Sequence, residues 1–161
     1  MKIRTLAVNG VLAALYIAVT MLIQPFGFTN VQFRISEMFN HLVVFNKKYF
    51  IGIVIGVFFS NLFFSSLGVY DLIFGVGQSV LALSLTILTA RFVKNIWARM
   101  VVNTIVFTAT MFLIAIELNI VLGFPFWITY LTTAVGEFVV MAVGMPIMYA
   151  LNKRINLKNL I

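Results

Sequence analysis

The chain has 161 residues, of which 63% are hydrophobic and only 9% are charged, against about 25% charged residues in a typical soluble domain. A soluble globule cannot cover that much apolar surface with 11 basic and four acidic residues. The composition therefore excludes an ordinary cytosolic domain, a disordered chain and a nucleic-acid-binding module. The absence of cysteine excludes a disulfide framework and a thiolate metal site. What remains is an integral membrane protein.

A helix that crosses a membrane needs about 20 mostly apolar residues. Six apolar segments of about this length, one of them shorter, follow one another along the chain. They are Thr5–Gln24, Arg34–Asn46, Tyr49–Ser66, Leu72–Ala90, Arg99–Leu118 and Phe126–Leu151. The connections are short, so we expect one all-α bundle of six transmembrane helices over residues 1–161. The first apolar run is long for a signal-peptide core and has no clear cleavage site after it, which favours a retained first span.

The second segment is the shortest and carries Arg34 and Glu37, so the charge pattern has to decide whether it crosses. If it crosses, 10 of the 11 basic residues lie on one side of the membrane and only Arg34 lies on the other. The positive-inside rule makes the basic side the cytoplasm. If it does not cross, Lys47 and Lys48 fall outside. We therefore predict six spans with both termini in the cytoplasm.

On this topology the acidic residues fall in the outer half of the membrane. Glu37 begins the second span, Asp71 precedes the fourth and Glu117 ends the fifth. Glu137 lies roughly 16 Å deep in the sixth span at 1.5 Å per residue. The neutral polar residues of the same half are Gln32, Asn61 and Gln78. Hydrogen-bonding groups in the outer half of an enclosed bundle are what an extracellular-facing solute site needs.

Glu137 is the strongest indication of a site, because a charge at bilayer depth costs about 2.5–3.5 kcal/mol on insertion scales. It is interpreted either as a neutral side chain hydrogen-bonded across helices or as a contact to a ligand or ion. Arg34, Glu37 and His41 share one helical face at spacings of three and four. They form either a local ion pair or a solute contact, and the lone His41 is expected to make an interhelical hydrogen bond rather than to bind a metal.

Simpler roles are available for the other polar residues. Asp71 is expected to be the N-cap of the fourth helix, and Glu117 is expected to lie in the headgroup region. Asn61 and Gln78 are suited equally to hydrogen bonds between helices and to ligand contact.

Small residues recur at four-residue spacing in two spans, and such faces allow close approach of helix backbones in lipid. They are Gly10, Ala14 and Ala18 in the first span, and Gly52, Gly56 and Ser60 in the third. Each face is expected to pack inside the bundle or to dock another membrane protein, and the first span is the better candidate for docking.

Signatures of enzymatic chemistry are absent from the sequence. It contains no phosphate-binding GxxxxGK[ST] loop, no HExxH and no GxSxG. We therefore predict that the chain is not an enzyme, does not hydrolyse ATP itself and has neither a cofactor nor a metal site.

The segment Val31–Glu37, with the sequence Val-Gln-Phe-Arg-Ile-Ser-Glu, precedes the short second span, and Tyr70-Asp71 lies in a later outer loop. With short spans and a small-residue first helix, this pattern resembles the QueT family of S components of energy-coupling factor (ECF) transporters. The resemblance implies the substrate-binding subunit of an importer in the bacterial cell membrane. Its partners would be a transmembrane T component, which would dock on Gly10, Ala14 and Ala18, and two ATPase subunits.

The resemblance also implies a queuosine precursor as the substrate, that is, a 7-deazaguanine such as the aminomethyl form. The residues expected to bind it are Gln32, Arg34, Glu37, Asn61, Tyr70, Gln78 and Glu137. A carboxylate suits the N–H and amino group of the ring edge, and a second one suits the aminomethyl cation. Two assignments remain open. Glu137 binds the ring edge and Glu37 the cation, or Glu37 binds the ring edge and Glu137 the cation. Phe33, Tyr70, Trp127 and Tyr130 are aromatic residues near the outer face that suit the ring planes.

Two further functions remain open at this point. One is an S component for another vitamin-like solute. The other belongs to a different class, either a small proton-coupled carrier using Glu137 and His41 or a structural membrane subunit. A requirement of uptake for partner ATPases would separate the S components from the carrier.

Overall fold

A computed structural model describes residues 3–24 and 33–161, and within these ranges every regular element is helical. The α-helices are α1 (Ile3–Leu22), α2 (Leu42–Phe45), α3 (Phe50–Phe64), α4 (Val69–Thr89), α5 (Ile96–Thr110), α6 (Phe112–Leu122) and α7 (Phe126–Ile155). Two 3-10 segments, Ile35–His41 and Lys47–Tyr49, lead into α2 and α3. Gln32, expected in the ligand site, lies outside the described residues.

Among residues 3–24 and 33–161, five helical stretches are long and apolar enough to cross a membrane. They are Ile3–Leu22, Lys47–Phe64, Val69–Thr89, Ile96–Leu122 and Phe126–Ile155. A shorter apolar stretch, Ile35–Phe45, lies between the first two. Since each long stretch carries exposed apolar side chains on its outer face, the chain is a multi-pass membrane protein.

The small residues of α3 pack against α1, as the sequence pattern allowed. A Cβ atom on Gly52 would lie 2.6 Å from Oδ1 of Asn9, and one on Gly56 would lie 2.7 Å from Cβ of Tyr16. The backbone N–H of Gly52 also donates to Oδ1 of Asn9 at 2.9 Å. Only glycine lets the two helices approach this closely, so the α3 face serves packing within the bundle.

The small residues of α1 behave differently. Gly10, Ala14 and Ala18 all lie on the exposed side of the helix, and a Cβ atom on Gly10 would meet nothing within 4 Å. Packing within the described bundle therefore does not account for this face. It is free to contact lipid or another membrane protein.

The polar second segment is enclosed by protein. Its residues Ile35–His41 form a 3-10 helix rather than the α-helical start of a span, and Ser36, Glu37 and His41 are buried. Nε2 of His41 lies 2.9 Å from the carbonyl oxygen of Met141 in α7. Since a carbonyl only accepts, Nε2 carries the proton. The polar side chains of this 3-10 helix face protein, whereas Ile35 is 41% exposed.

Asn103 completes the surroundings of His41. Its Nδ2 atom lies 3.2 Å from Nδ1 of His41, and its Oδ1 atom accepts a hydrogen bond of 2.7 Å from Oγ1 of Thr86. The histidine therefore links the 3-10 segment to α5 and α7, which confirms the expected interhelical hydrogen bond.

The fifth predicted span consists of two helices, because the hydrogen-bonding pattern is interrupted at Met111 between α5 and α6. The side-chain amide of Gln78 in α4 lies at this break and donates to Oγ1 of Thr110 at 3.0 Å. A buried amide from a neighbouring helix thus hydrogen-bonds the hydroxyl of Thr110 beside the break.

The two ends of the bundle differ in charge. Basic residues occupy the start of α1, the turn before α3, the α4–α5 connection and the end of α7. At this basic end the rings of Trp97 and Tyr149 lie 4.7 Å apart between centroids. The chain after α7 is held there by a hydrogen bond of 2.9 Å from the hydroxyl of Tyr49 to the carbonyl oxygen of Leu157.

Candidate functional site

Arg34 lies at the centre of the opposite, acidic end. It immediately precedes the 3-10 segment and is buried. Its Nη2 atom donates to Oδ1 of Asn61 at 2.9 Å, and Nδ2 of Asn61 donates to the carbonyl oxygen of Asp71 at 2.9 Å. Asn61 therefore connects the 3-10 segment to α3 and to the first turn of α4.

Glu37 is held by neighbouring side chains. Its Oε1 atom accepts a hydrogen bond of 2.7 Å from the hydroxyl of Tyr16 and lies 3.5 Å from Nε of Arg34. Its Oε2 atom accepts a further hydrogen bond from Asn40. Both carboxylate oxygens are thus engaged within the protein, and the side chain fixes the position of Arg34.

Glu137 and Glu117 accept fewer hydrogen bonds from the protein than Glu37 does. Glu137 is 2% exposed and Glu117 is fully buried. Neither oxygen of Glu117 meets a hydrogen-bond donor in the described part of the chain, where its carboxyl group lies against that of Asp71, and Oε1 of Glu137 also meets none. Buried polar groups are rarely left without partners, so these three oxygens make the acidic end the candidate site.

All four acidic residues of the chain interact electrostatically with Arg34. Glu37, Asp71 and Glu137 do so directly, and Glu117 interacts with both Asp71 and Arg34. Their formal charge sums to four negative charges against one positive charge. An excess of buried carboxylates is costly unless protons or a cationic ligand neutralise it. Within residues 3–24 and 33–161, however, no three acidic or histidine side chains are arranged to hold a metal ion.

The predicted N-cap role of Asp71 is wrong. Helix α4 begins at Val69 after Gly68, which has a positive φ of 59°, and Asp71 already lies in the first turn. Its carboxylate accepts a hydrogen bond from Ser65 and is buried. Glycine at position 68 allows the left-handed backbone that turns Asp71 towards the interior.

The close approach of α3 to α4 depends on another glycine. A Cβ atom on Gly75 would lie 2.5 Å from Nδ2 of Asn61. Any larger residue would displace the Asn61 amide from its position between Arg34 and Asp71.

Glu117, expected in the headgroup region, is buried inside the bundle. The sequence suggested that the fifth span ends at Leu118, but α6 continues to Leu122. Glu117 therefore lies more than a turn inside the helix and is buried. The sequence feature that could have indicated its burial is an acidic residue inside an apolar run.

Two further contributors were not singled out from the sequence. Tyr16 lies among the apolar residues of α1, and Asn40 lies in the 3-10 segment. Both bind Glu37, and only the path of the 3-10 segment past α1 brings Tyr16 to it.

The structure brings Arg34, Glu37, Asn61 and Glu137 together, whereas other predicted site residues have different surroundings. Gln78 is buried at the α5–α6 break. Tyr70 is 48% exposed and Trp127 is 73% exposed. Tyr130 stacks on Phe126, with ring centroids 6.2 Å apart.

Long apolar helices around a charged, hydrogen-bonded centre define a multi-pass membrane protein with a polar interior. The family model described as QueT transporter matches residues 6–153. The chain belongs to this family. It is 38% identical over 157 residues to the Queuosine precursor transporter QueT of Lactococcus lactis subsp. cremoris (strain MG1363), with 92% of each chain covered. No solved structure matches the chain.

Proposed function

We propose that the protein is the substrate-binding S component of an ECF-type importer and takes up a cationic 7-deazaguanine precursor of queuosine. The observation that carries this proposal is the set of buried carboxylates around Arg34, in which three oxygens meet no hydrogen-bond donor among the described residues. The relative from Lactococcus lactis is named a transporter of a queuosine precursor, which supports this class of ligand.

The aminomethyl form of the precursor matches the charge of the site. Its ring edge presents an N–H and an amino group side by side, which a single carboxylate accepts in a bidentate manner. Its aminomethyl group is a cation, which a second carboxylate stabilises by a charge-assisted hydrogen bond. The ligand thus supplies positive charge to a site that holds an excess of carboxylates.

We assign Glu137 to the ring edge and Glu117 to the ammonium group. Oε1 of Glu137 and both oxygens of Glu117 meet no hydrogen-bond donor among the described residues, and Glu117 is in contact only with another acid, Asp71. By contrast, the two oxygens of Glu37 accept hydrogen bonds from Tyr16 and Asn40. Glu37 and Asn61 then hold Arg34 in place. Binding at micromolar affinity requires about 8 kcal/mol, so several such contacts have to act together.

The topology follows from the charge distribution. We propose six crossings, with Ile35–Phe45 as the short second one and both termini in the cytoplasm. The basic residues at one end of the bundle support this orientation. The acidic site then opens towards the outside of the cell, where an importer meets its substrate.

The chain carries no phosphate-binding loop, which fits an importer whose ATPases are separate subunits. We propose an ECF T component and two ATPase subunits as partners. The exposed stripe of Gly10, Ala14 and Ala18 on α1 supports docking of the T component there, since small residues let two membrane helices approach closely.

Calorimetry on the purified protein in detergent tests the proposal, with the aminomethyl-deazaguanine as ligand and guanine and riboflavin as controls. We expect saturable binding of the deazaguanine at one site and its loss in Glu137→Gln. Glu37→Gln should weaken binding by releasing Arg34. Wild-type affinity in both variants would refute the site. Absence of binding by any deazaguanine would refute the substrate and leave the fold unchanged.

A further inference from the structure

A polar cavity lies at the basic end of the bundle, opposite the end that holds Arg34 and the carboxylates. It has a volume of about 310 Å³ and opens between α2, the end of α4, the start of α5 and the chain after α7. Its polar lining consists of Asn46, Lys47, Arg99, Lys158 and Asn159, and its apolar lining includes Val43 and Ile87.

Three cations line this cavity, and none of them forms an ion pair with a described carboxylate. No such carboxylate lies within 4.0 Å of the side-chain nitrogens of Lys47, Arg99 or Lys158. The Nε atom of Arg99 is buried and has no hydrogen-bond partner among these residues. A buried guanidinium N–H without an acceptor is costly, and an anion in the cavity would supply the acceptor.

The cavity is held in shape by hydrogen bonds from its own walls. Nδ2 of Asn46 donates to the backbone oxygens of Lys158 and Ile161, at 3.1 Å each. The hydroxyl of Tyr49 donates to the carbonyl oxygen of Leu157. These bonds fix the wall that carries Lys158 opposite the wall that carries Arg99.

The depth of the cavity in the bilayer is indicated by neighbouring aromatic residues. Trp97 lies two positions before Arg99 and packs on Tyr149, while Nζ of Lys153 lies 5.0 Å from the centroid of the Tyr149 ring. Tryptophan and tyrosine side chains concentrate at the headgroup level of membranes. The three cations therefore lie where lipid phosphates lie.

We propose that this cavity binds a phosphate oxyanion, supplied by the headgroup of an anionic phospholipid. Basic pockets between transmembrane helices are suited to such headgroups. The guanidinium of Arg99 meets phosphate oxygens in a fork geometry, Lys47 and Lys158 add charge, and Val43 and Ile87 adjoin the apolar part of the lipid. The inference is independent of the transport substrate.

Binding of phosphatidylglycerol to the purified, delipidated protein in detergent tests the proposal. The thermal unfolding midpoint is followed against lipid concentration, with phosphatidylcholine and inorganic phosphate in parallel. We expect phosphatidylglycerol to raise the midpoint, and Arg99→Gln and Lys158→Gln each to raise the half-saturating concentration about fivefold. Arg91→Gln is the matched control, because Arg91 is an exposed basic residue of the same end that does not line the cavity.

The other two ligands identify the source of the phosphate. Stabilisation by phosphatidylglycerol that inorganic phosphate does not reproduce supports the lipid, whereas equal stabilisation by inorganic phosphate overturns the lipid source. An equal response to phosphatidylcholine, or equal responses in Arg91→Gln and the two cavity variants, overturns the site. If Arg99→Gln does not fold, the exposed Lys158→Gln variant alone decides the outcome.

Discussion

The Nη2 atom of Arg34 donates a hydrogen bond of 2.9 Å to Oδ1 of Asn61, although the two residues are 27 positions apart in the chain. Asn61 uses its amide nitrogen to bind the backbone of Asp71. One neutral side chain thus holds the central cation of the acidic end and joins three elements of the bundle.

Replacement of Asn61 by leucine, which has a similar size, removes both hydrogen bonds. A buried donor of Arg34 and the carbonyl oxygen of Asp71 then lose their partner, so the free energy of unfolding should fall by about 1–3 kcal/mol. Unfolding of the purified protein in increasing sodium dodecyl sulfate measures this change. Thr132→Val is the control, because the hydroxyl of Thr132 binds only carbonyls of its own helix. Equal stability of the two variants would contradict the role of Asn61.

Two glycine-to-alanine variants compare close packing with open space. Gly56→Ala places a methyl group 2.7 Å from Cβ of Tyr16, so α1 has to move and the bond from Tyr16 to Glu37 is strained. Overpacking of this kind typically costs about 1–3 kcal/mol. Gly10→Ala meets nothing within 4 Å, and alanine favours the helix by up to about 1 kcal/mol. Thermal unfolding of the isolated protein should therefore show opposite shifts, and a joint shift would contradict the packing of α1 on α3.

The exposed stripe of α1 can be tested by Ala14→Trp. The bulky ring should prevent close contact with the T component and abolish co-purification of the complex, while ligand binding by the isolated chain stays unchanged. Val135→Trp in α7 is the matched control, because Val135 is 57% exposed and lies outside the stripe. If Ala14→Trp assembles into the complex as well as the control does, the T component docks on another surface.

The assignment of Glu117 to the ammonium group predicts a ligand-dependent effect. Glu117→Gln keeps the size of the side chain and removes its charge, so binding of the aminomethyl-deazaguanine should weaken about 10- to 100-fold, as expected for a hydrogen bond to a charged group. A deazaguanine that carries a neutral nitrile in place of the aminomethyl group should bind the variant and the wild type alike. Calorimetric titration of both ligands decides the point, and equal losses for the two would refute the assignment.

The class of the protein follows from its sequence, because hydrophobic composition and the length of apolar runs act through the bilayer and need no partner in the fold. The asymmetry of charge and the small-residue stripe of α1 can also be read from the sequence, because they too depend on the bilayer and not on a partner within the fold. Glu137 and Arg34 also stand out, since a charge in an apolar segment is unusual in any context.

The contacts that build the site are decided only by the tertiary structure. The bond of Tyr16 to Glu37 spans 21 positions, and that of Arg34 to Asn61 spans 27. Neither pairing leaves a local pattern in the chain. The burial of Glu117 depends on where α6 ends, and the inward turn of Asp71 depends on the backbone at Gly68. Local residue patterns specify helices and their lipid-facing sides, whereas the pairing of polar groups inside the bundle is set by which helices pack together.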